Sequence, residues 1–182
     1  MLIIGLTGRI GSGKTTLSAY IQEKYGFQKL SFVDKILIPE LRKRKKTVNR
    51  KNLQQVGREF YLKYRDIEFT ELLLEGTDPT KKWIIDDIQY PLAANYIRNQ
   101  FLNNFWLIGV KTDTRIRFQR ILVRGKEGNI SYEDFLKMDS APTEEQIEEV
   151  LSQADYLVEN NEALSGLYQQ CDRIIKEIQD RF

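Results

Sequence analysis

Eight residues near the start of the chain, Gly8-Arg9-Ile10-Gly11-Ser12-Gly13-Lys14-Thr15, fit the pattern G-x-x-x-x-G-K-[ST] at every fixed position. The glycines let backbone N–H groups turn inward and wrap phosphate oxygens, and a helix opening at the end of the loop adds partial positive charge. The Lys14 ammonium is placed to reach β- and γ-phosphates, and the Thr15 hydroxyl to meet a Mg²⁺ ion. With Gly8, Gly11, Ser12, Gly13 and the following Thr16, these residues are the nucleotide-binding set expected for ATP. A glycine-rich turn with an incidental lysine would not need to follow an apolar strand and open a helix, as this segment does.

Other chemistry-bearing residues are scattered. Asp34 follows the second apolar run, beside the expected mouth of the loop; it serves either an acceptor or as the N-cap of the helix from Lys35. Asp86 and Asp87 end the run Trp83–Ile85, where strand alternation sends neighbours to opposite faces and leaves one of them for the site. Arg117, Arg120 and Arg124 recur at spacings of three and four, so they share a helix face, either phosphate-directed or solvated. The run Arg42-Lys43-Arg44-Lys45-Lys46, followed by Arg50 and Lys51, has no interleaved aromatic residue for stacking on bases. It reads as a solvated segment, then as an acceptor-binding one, then as a nucleic-acid contact. Glu144, Glu145, Glu148 and Glu149 read as a solvated acidic face.

Composition removes many alternatives. The 182 residues include no histidine, which excludes a Ser-His-Asp triad, a His-based zinc site and imidazole acid–base catalysis. The one cysteine, Cys171, permits no intramolecular disulfide and reads as a buried apolar side chain. Twenty-eight Lys and Arg against 26 Asp and Glu leave a net charge of +2, too small to imply a polyanionic partner. The first residues lack a basic region, and nothing approaches the roughly 20 apolar residues of a membrane span. A cytoplasmic protein is the expectation. The chemistry then falls to carboxylates, lysine, arginine, hydroxyls, backbone amides or a bound ion.

The elements that must position these groups follow from the hydrophobic pattern. Leu2–Thr7, Lys29–Val33, Trp83–Ile88, Phe105–Val110 and Tyr156–Val158 read as strands. Helices are predicted over Thr15–Tyr25, from Lys35, and over Asn52–Glu75, Leu92–Phe101, Ile116–Arg124, Tyr132–Met138, Thr143–Gln153 and Ala163–Gln179. Ser131, with Asp134 three residues on, is placed to cap the Tyr132 helix. Alternating strands and helices specify an α/β fold with a parallel sheet covered on both faces.

The segment Ile4–Thr16 resembles the first strand and P-loop of dephospho-coenzyme A kinases and their nucleoside monophosphate kinase relatives. Ile85-Asp-Asp-Ile-Gln-Tyr-Pro91 is similar to the third-strand segment of phage-type deoxynucleoside monophosphate kinases, aligned on Asp87, and Leu53–Glu59 resembles a helix of the same enzymes. Gln119–Gly125 resembles the helix leading into the kinase lid, and Ala154–Asn160 the last strand and base-side loop of dephospho-coenzyme A kinases. Gln89 stands where the phage-type kinases carry arginine, and Arg58 where they carry threonine.

The resemblance implies a three-layer α/β/α P-loop kinase domain spanning residues 1–182, with strand order 2-3-1-4-5. It implies an acceptor-binding region over about 34–77 and a small lid over about 124–142. By the same resemblance, Lys14, Asp34, Arg120 and Arg124 are catalytic. Thr15 and Asp87 attend Mg²⁺, Asn160 lies on the base side of ATP, and Asp34, Arg58, Asp87 and Gln89 face the acceptor, to which the acceptor-binding reading of the basic run adds Arg42. The implied reaction transfers the γ-phosphoryl group to a small nucleotide-like acceptor, a nucleoside or deoxynucleoside monophosphate first and dephospho-coenzyme A second. A nucleic-acid-associated or regulatory P-loop NTPase is the alternative of another class. The acceptor is a small molecule; no membrane partner is expected, a nucleic-acid partner is disfavoured, and the oligomeric state stays open.

Overall fold

The first strand, β1 (Leu2–Thr7), is buried at all six positions, which requires neighbours on both edges and layers on both faces. A computed structural model supplies them. It describes residues 1–125, 128, 130–140 and 146–181, and within the helix at 50–74 it leaves out the side chains at 50, 51, 54, 61, 65 and 66. β2 (Gln28–Leu30), β3 (Lys82–Ile85), β4 (Phe105–Lys111) and β5 (Tyr156–Glu159) complete a parallel sheet in the order β2-β3-β1-β4-β5. In register, Ile4 stands beside Ile84 on one side and Trp106 on the other.

The period of two along β1 divides the core. Leu2, Ile4 and Leu6 face α1 (Lys14–Tyr25), and Leu17 and Ile21 of that helix pack there with Cys171 and Ile175 of the last helix. Ile3 faces the opposite layer, with Leu73, Ala94, Ile97 and Val150. The intervening helices are α2 (Ile38–Lys43), α3 (Arg50–Leu74), α4 (Pro91–Phe101), α5 (Thr114–Arg124), α6 (Tyr132–Asp139), α7 (Ile147–Ser152) and α8 (Leu164–Arg181). Cys171 is fully buried, and burial pushes its thiol up to about 12, so it is a core side chain rather than a nucleophile.

Two strand ends and one helix start that differ from the sequence pattern shape the site. β2 stops at Leu30 rather than Val33, because Ser31 starts a helix. Its hydroxyl accepts from the Asp34 N–H at 3.3 Å, and Val33–Leu37 forms a π-helical turn that runs into α2. Ser31, not Asp34, is therefore the cap, and Asp34 occupies the first turn. The same Ser-x-x-Asp arrangement opens α6, where the Ser131 hydroxyl accepts from the Asp134 N–H at 3.0 Å. β3 ends at Ile85, three residues short of the predicted Ile88. The start of the helix predicted from Thr143, with Glu144 and Glu145, lies outside the described residues, as do parts of the predicted lid and the side chains of Arg50 and Lys51.

α3 buries Val56 against Leu37 and Leu41, with Leu53, Phe32 and Phe60 packed around them. At its far end the Lys35 ammonium donates to the Leu73 carbonyl at 2.5 Å and to that of Glu75, carbonyls that a helix C-terminus leaves without intrahelical donors. Among the described residues no helix is long and apolar enough to cross a membrane.

Candidate active site

The loop between β1 and α1 bends through glycines that no other residue replaces easily. Gly8, Gly11 and Gly13 have φ of 147°, 79° and 105°. A Cβ on Gly13 would lie 2.2 Å from Asn160 Nδ2. The Ser12 hydroxyl is buried with no hydrogen-bond partner among the described residues, which suits a loop built to receive oxygens from a ligand. The Lys14 ammonium arches over the loop, donating to the Gly8 carbonyl and, at 3.3 Å, to that of Arg9; it stands 3.5 Å from Asp87 Oδ1.

Asn160 lies just past β5 and is 2 % exposed. Its Nδ2 donates to the Ser12 carbonyl at 2.8 Å, and the Thr112 hydroxyl donates to the same oxygen at 3.0 Å. Arg120 donates to the Asn160 carbonyl at 2.9 Å and to its Oδ1 at 3.2 Å, and approaches the Ser12 carbonyl at 3.5 Å. Burial, with Arg124 nearby, holds the Arg120 guanidinium below its ordinary value. Arg120 and Asn160 are thus brought together behind the loop.

In front of the loop is a cleft of about 380 Å³. Lys14, Thr15, Lys29, Asp34, Asp86 and Asp87 line it, with Arg124 at its edge. Both adjacent aspartates face the same cleft, contrary to the alternation expected of a strand, because β3 has already ended and Asp86 sits in a bend. Lys29 pairs with Asp86 at 2.8 Å and lies 3.9 Å from Asp34. The Gln89 amide donates to Asp87 Oδ2 at 2.8 Å. The crowding of protein around Asp87 pushes its carboxyl above the usual carboxylate range, against the pull of Lys14 and with the repulsion of Asp86.

The three arginines of the α5 face have separate fates. Arg117 is 2 % exposed and forks onto both oxygens of Asp139, at 2.5 and 2.8 Å. Arg120 is the anchor just described. Arg124 alone lines the cleft, and it also borders a second groove of about 960 Å³ walled by Thr16, Tyr20 and Tyr168. Arg42 on α2 and Arg58 on α3 are exposed, and neither lines the cleft. Within the basic run, Arg44 pairs with Glu40 at 2.7 Å and with Glu59, so the run is partly neutralised. Glu148 is not merely solvated either, since it accepts from Arg9 Nε at 2.8 Å.

Among the described residues, no group of three or more acidic or cysteine side chains forms a metal site by itself. The Thr15 hydroxyl with Asp86 and Asp87 is a donor set of oxygens that fits Mg²⁺ shared with nucleotide phosphates, since that ion takes one or two carboxylates and completes its shell from phosphate and water. Sequence reasoning overlooked Lys29 and set Asp86 aside in favour of Asp87; the early end of β3 is what brings Asp86 in.

A parallel sheet in this order, with a glycine loop and lysine opening the first helix, defines a P-loop nucleotide-binding fold. The chain belongs to the AAA domain family, whose profile matches residues 4–137. It is 24% identical to a UPF0200 protein of Aeropyrum pernix over 166 residues, covering 91% of this chain and 88% of that one. It is 27% identical to the dephospho-CoA kinase of Fusobacterium nucleatum over 206 residues, covering 98% of this chain and 99% of the relative. The fold is similar to that of shikimate kinase from Bacteroides thetaiotaomicron, with a TM-score of 0.60, 16% identity and 98% of each chain covered.

Proposed function

We propose that this ATP-dependent kinase transfers the γ-phosphoryl group to a hydroxyl on a small nucleotide-like acceptor, with dephospho-coenzyme A as the first candidate. The observation that carries the reading is the acceptor side of the cleft. There Asp34 and Asp86 flank Lys29, whose charge Asp86 already neutralises at 2.8 Å. A carboxylate at such a mouth accepts a hydroxyl proton, whereas a monophosphate acceptor calls for uncommitted cations. The two arginines expected to supply them, Arg42 and Arg58, lie outside the cleft. Dephospho-CoA kinase among the relatives supports the same choice.

In this reading the loop amides, Lys14 and the helix N-terminus hold the β- and γ-phosphates. Thr16, Arg120 and Asn160 serve the nucleoside side of ATP. Asp34 orients the acceptor hydroxyl and takes its proton as the new O–P bond forms and the β,γ-bridging O–P bond breaks, releasing ADP. Arg124, at the cleft edge, offsets charge on the moving phosphoryl group. Bound Mg²⁺, held by Thr15 and Asp87, supplies charge neutralisation between the phosphates. Gln89 steadies Asp87. The whole chain acts as one kinase domain, with residues 34–77 as its acceptor region and 124–142 as its lid.

The deciding experiment is ADP release measured with a panel of acceptors: dephospho-coenzyme A, nucleoside and deoxynucleoside monophosphates, and small sugar or cyclitol alcohols. Turnover raised by a hydroxyl acceptor is the expected result. Turnover raised by monophosphates alone would replace the acceptor assignment. ADP release indifferent to every small acceptor but stimulated by DNA or RNA, with a steep salt dependence, would overturn the kinase reading.

A further inference from the structure

Two peptide planes of the phosphate loop are held from outside the loop. The Ile10 carbonyl accepts from Arg117 Nη1 at 3.1 Å, and the Ser12 carbonyl from Asn160 and Thr112 at 2.8 and 3.0 Å. All peptide bonds here are trans. In a trans peptide the carbonyl of one residue and the N–H of the next point in opposite directions. Holding the Ile10 oxygen back therefore turns the Gly11 N–H the other way, and holding the Ser12 oxygen back does the same for the Gly13 N–H. These residues line the cleft, and neither amide donates to an acceptor among the described residues. Glycine at 11 and 13 permits this geometry without imposing it, since glycine adopts either sign of φ. Side chains outside the P-loop motif therefore add to the loop's own bonds in setting the direction of these two amides.

Arg117 is itself held rigidly. Asp139, at the C-terminal end of α6, takes its fork with both oxygens. Arg117 Nε donates to the Thr112 carbonyl at 3.1 Å, and the guanidinium lies 5.5 Å from the Phe135 ring centre. Arg9, also in the loop, donates to the Asp139 backbone carbonyl at 2.8 Å. A buried ion pair contributes little net stability over an apolar pair of similar size, so stability alone does not account for its placement beside the loop.

We propose that Asp139 is a positioning residue for nucleotide binding: it aims Arg117 at the Ile10 carbonyl and so keeps the Gly11 amide turned toward the phosphates. The inference rests on the nucleotide-binding reading of the loop and adds that α6, more than a hundred residues beyond the loop in sequence, helps to set its amide direction.

The test compares wild type with Asp139→Asn, with Arg117→Lys, and with the double change Arg117→Met and Asp139→Leu. The double variant replaces the ion pair by apolar side chains and removes the tie to Ile10. The measurements are ADP affinity by calorimetry and melting temperature with and without ADP. Each variant is expected to bind ADP about tenfold more weakly or worse, a loss the size of one charged hydrogen bond, and to show a smaller ADP-induced rise in melting temperature. The acceptor KM at saturating ATP should stay within about twofold of wild type, because no acceptor group is touched. A merely structural pair would lower the melting temperature with and without ADP alike and leave the affinity within about twofold of wild type; that result overturns the proposal. If the double variant does not fold, Arg117→Lys decides, since it keeps a cation for Asp139 but has no fork to span both acceptors. Failure of the wild-type protein to bind ADP would instead sink the nucleotide reading itself.

Discussion

The two sides of the cleft are built on different terms. On the nucleotide side, backbone carbonyls are tied down by buried and half-buried side chains: Ser12 by Asn160 and Thr112, and Ile10 by Arg117. On the acceptor side, the groups are half-exposed side chains on a short strand, a bend and a helix start, with Asp34 63% exposed and linked to Lys29 only at 3.9 Å. The difference follows from what each side must do. Phosphate oxygens are the same in every NTP, so amides aimed in advance serve any of them at no cost in reorganisation. An acceptor hydroxyl has to arrive, lose a proton and leave phosphorylated, which calls for side chains that can move.

Removing a group from the braced side should therefore cost more than removing one from the open side. Lys14→Met is expected to reduce ADP release at least about 10⁴-fold, because the lysine of the phosphate loop is lost. Arg124→Ala should lower kcat about 10³-fold while leaving ADP affinity within a few-fold, as a group that acts on the moving phosphoryl must. Asp34→Asn is expected to lower kcat about 10²-fold at saturating substrates, with unchanged ADP affinity; normal turnover in that variant would remove Asp34 from the proton's path. Lys29→Gln, which leaves Asp86 unpaired, should reduce kcat/KM for the acceptor about tenfold and leave KM for ATP alone. The smallest effect belongs to Arg42→Ala and Arg58→Ala, each within about twofold in acceptor KM. A tenfold rise there would return the acceptor side to the monophosphate reading.

The braced side was also the more legible in the sequence. The glycine loop is contiguous, its flanking strand and helix follow from the apolar pattern, and the sheet order came with the resemblance. The partners that aim it were harder to place. A spacing of three and four puts Arg117, Arg120 and Arg124 on one face, but periodicity does not say how deep each lies, and depth separates the buried brace from the anchor and from Arg124 at the cleft. On the acceptor side, a lysine on an edge strand and an aspartate one residue past a strand end carry no pattern. Lys29 and Asp86 become neighbours only because β2 and β3 pair and because β3 stops at Ile85. The cap at Ser31 was readable in principle, since Ser-x-x-Asp was recognised at Ser131 and not at Ser31.

Lys35 follows Asp34 directly, and its ammonium is fastened to the carbonyls of Leu73 and Glu75 at the far end of a 25-residue helix. The turn carrying the proposed acceptor carboxylate is thereby stitched to a chain position some forty residues downstream. For chimeras, this defines an exchangeable cassette: a transplant of acceptor preference between relatives must carry residues 31 to 75 as one piece. A graft cut between the aspartate and the end of that helix would transfer the carboxylate without the anchor that holds it in place.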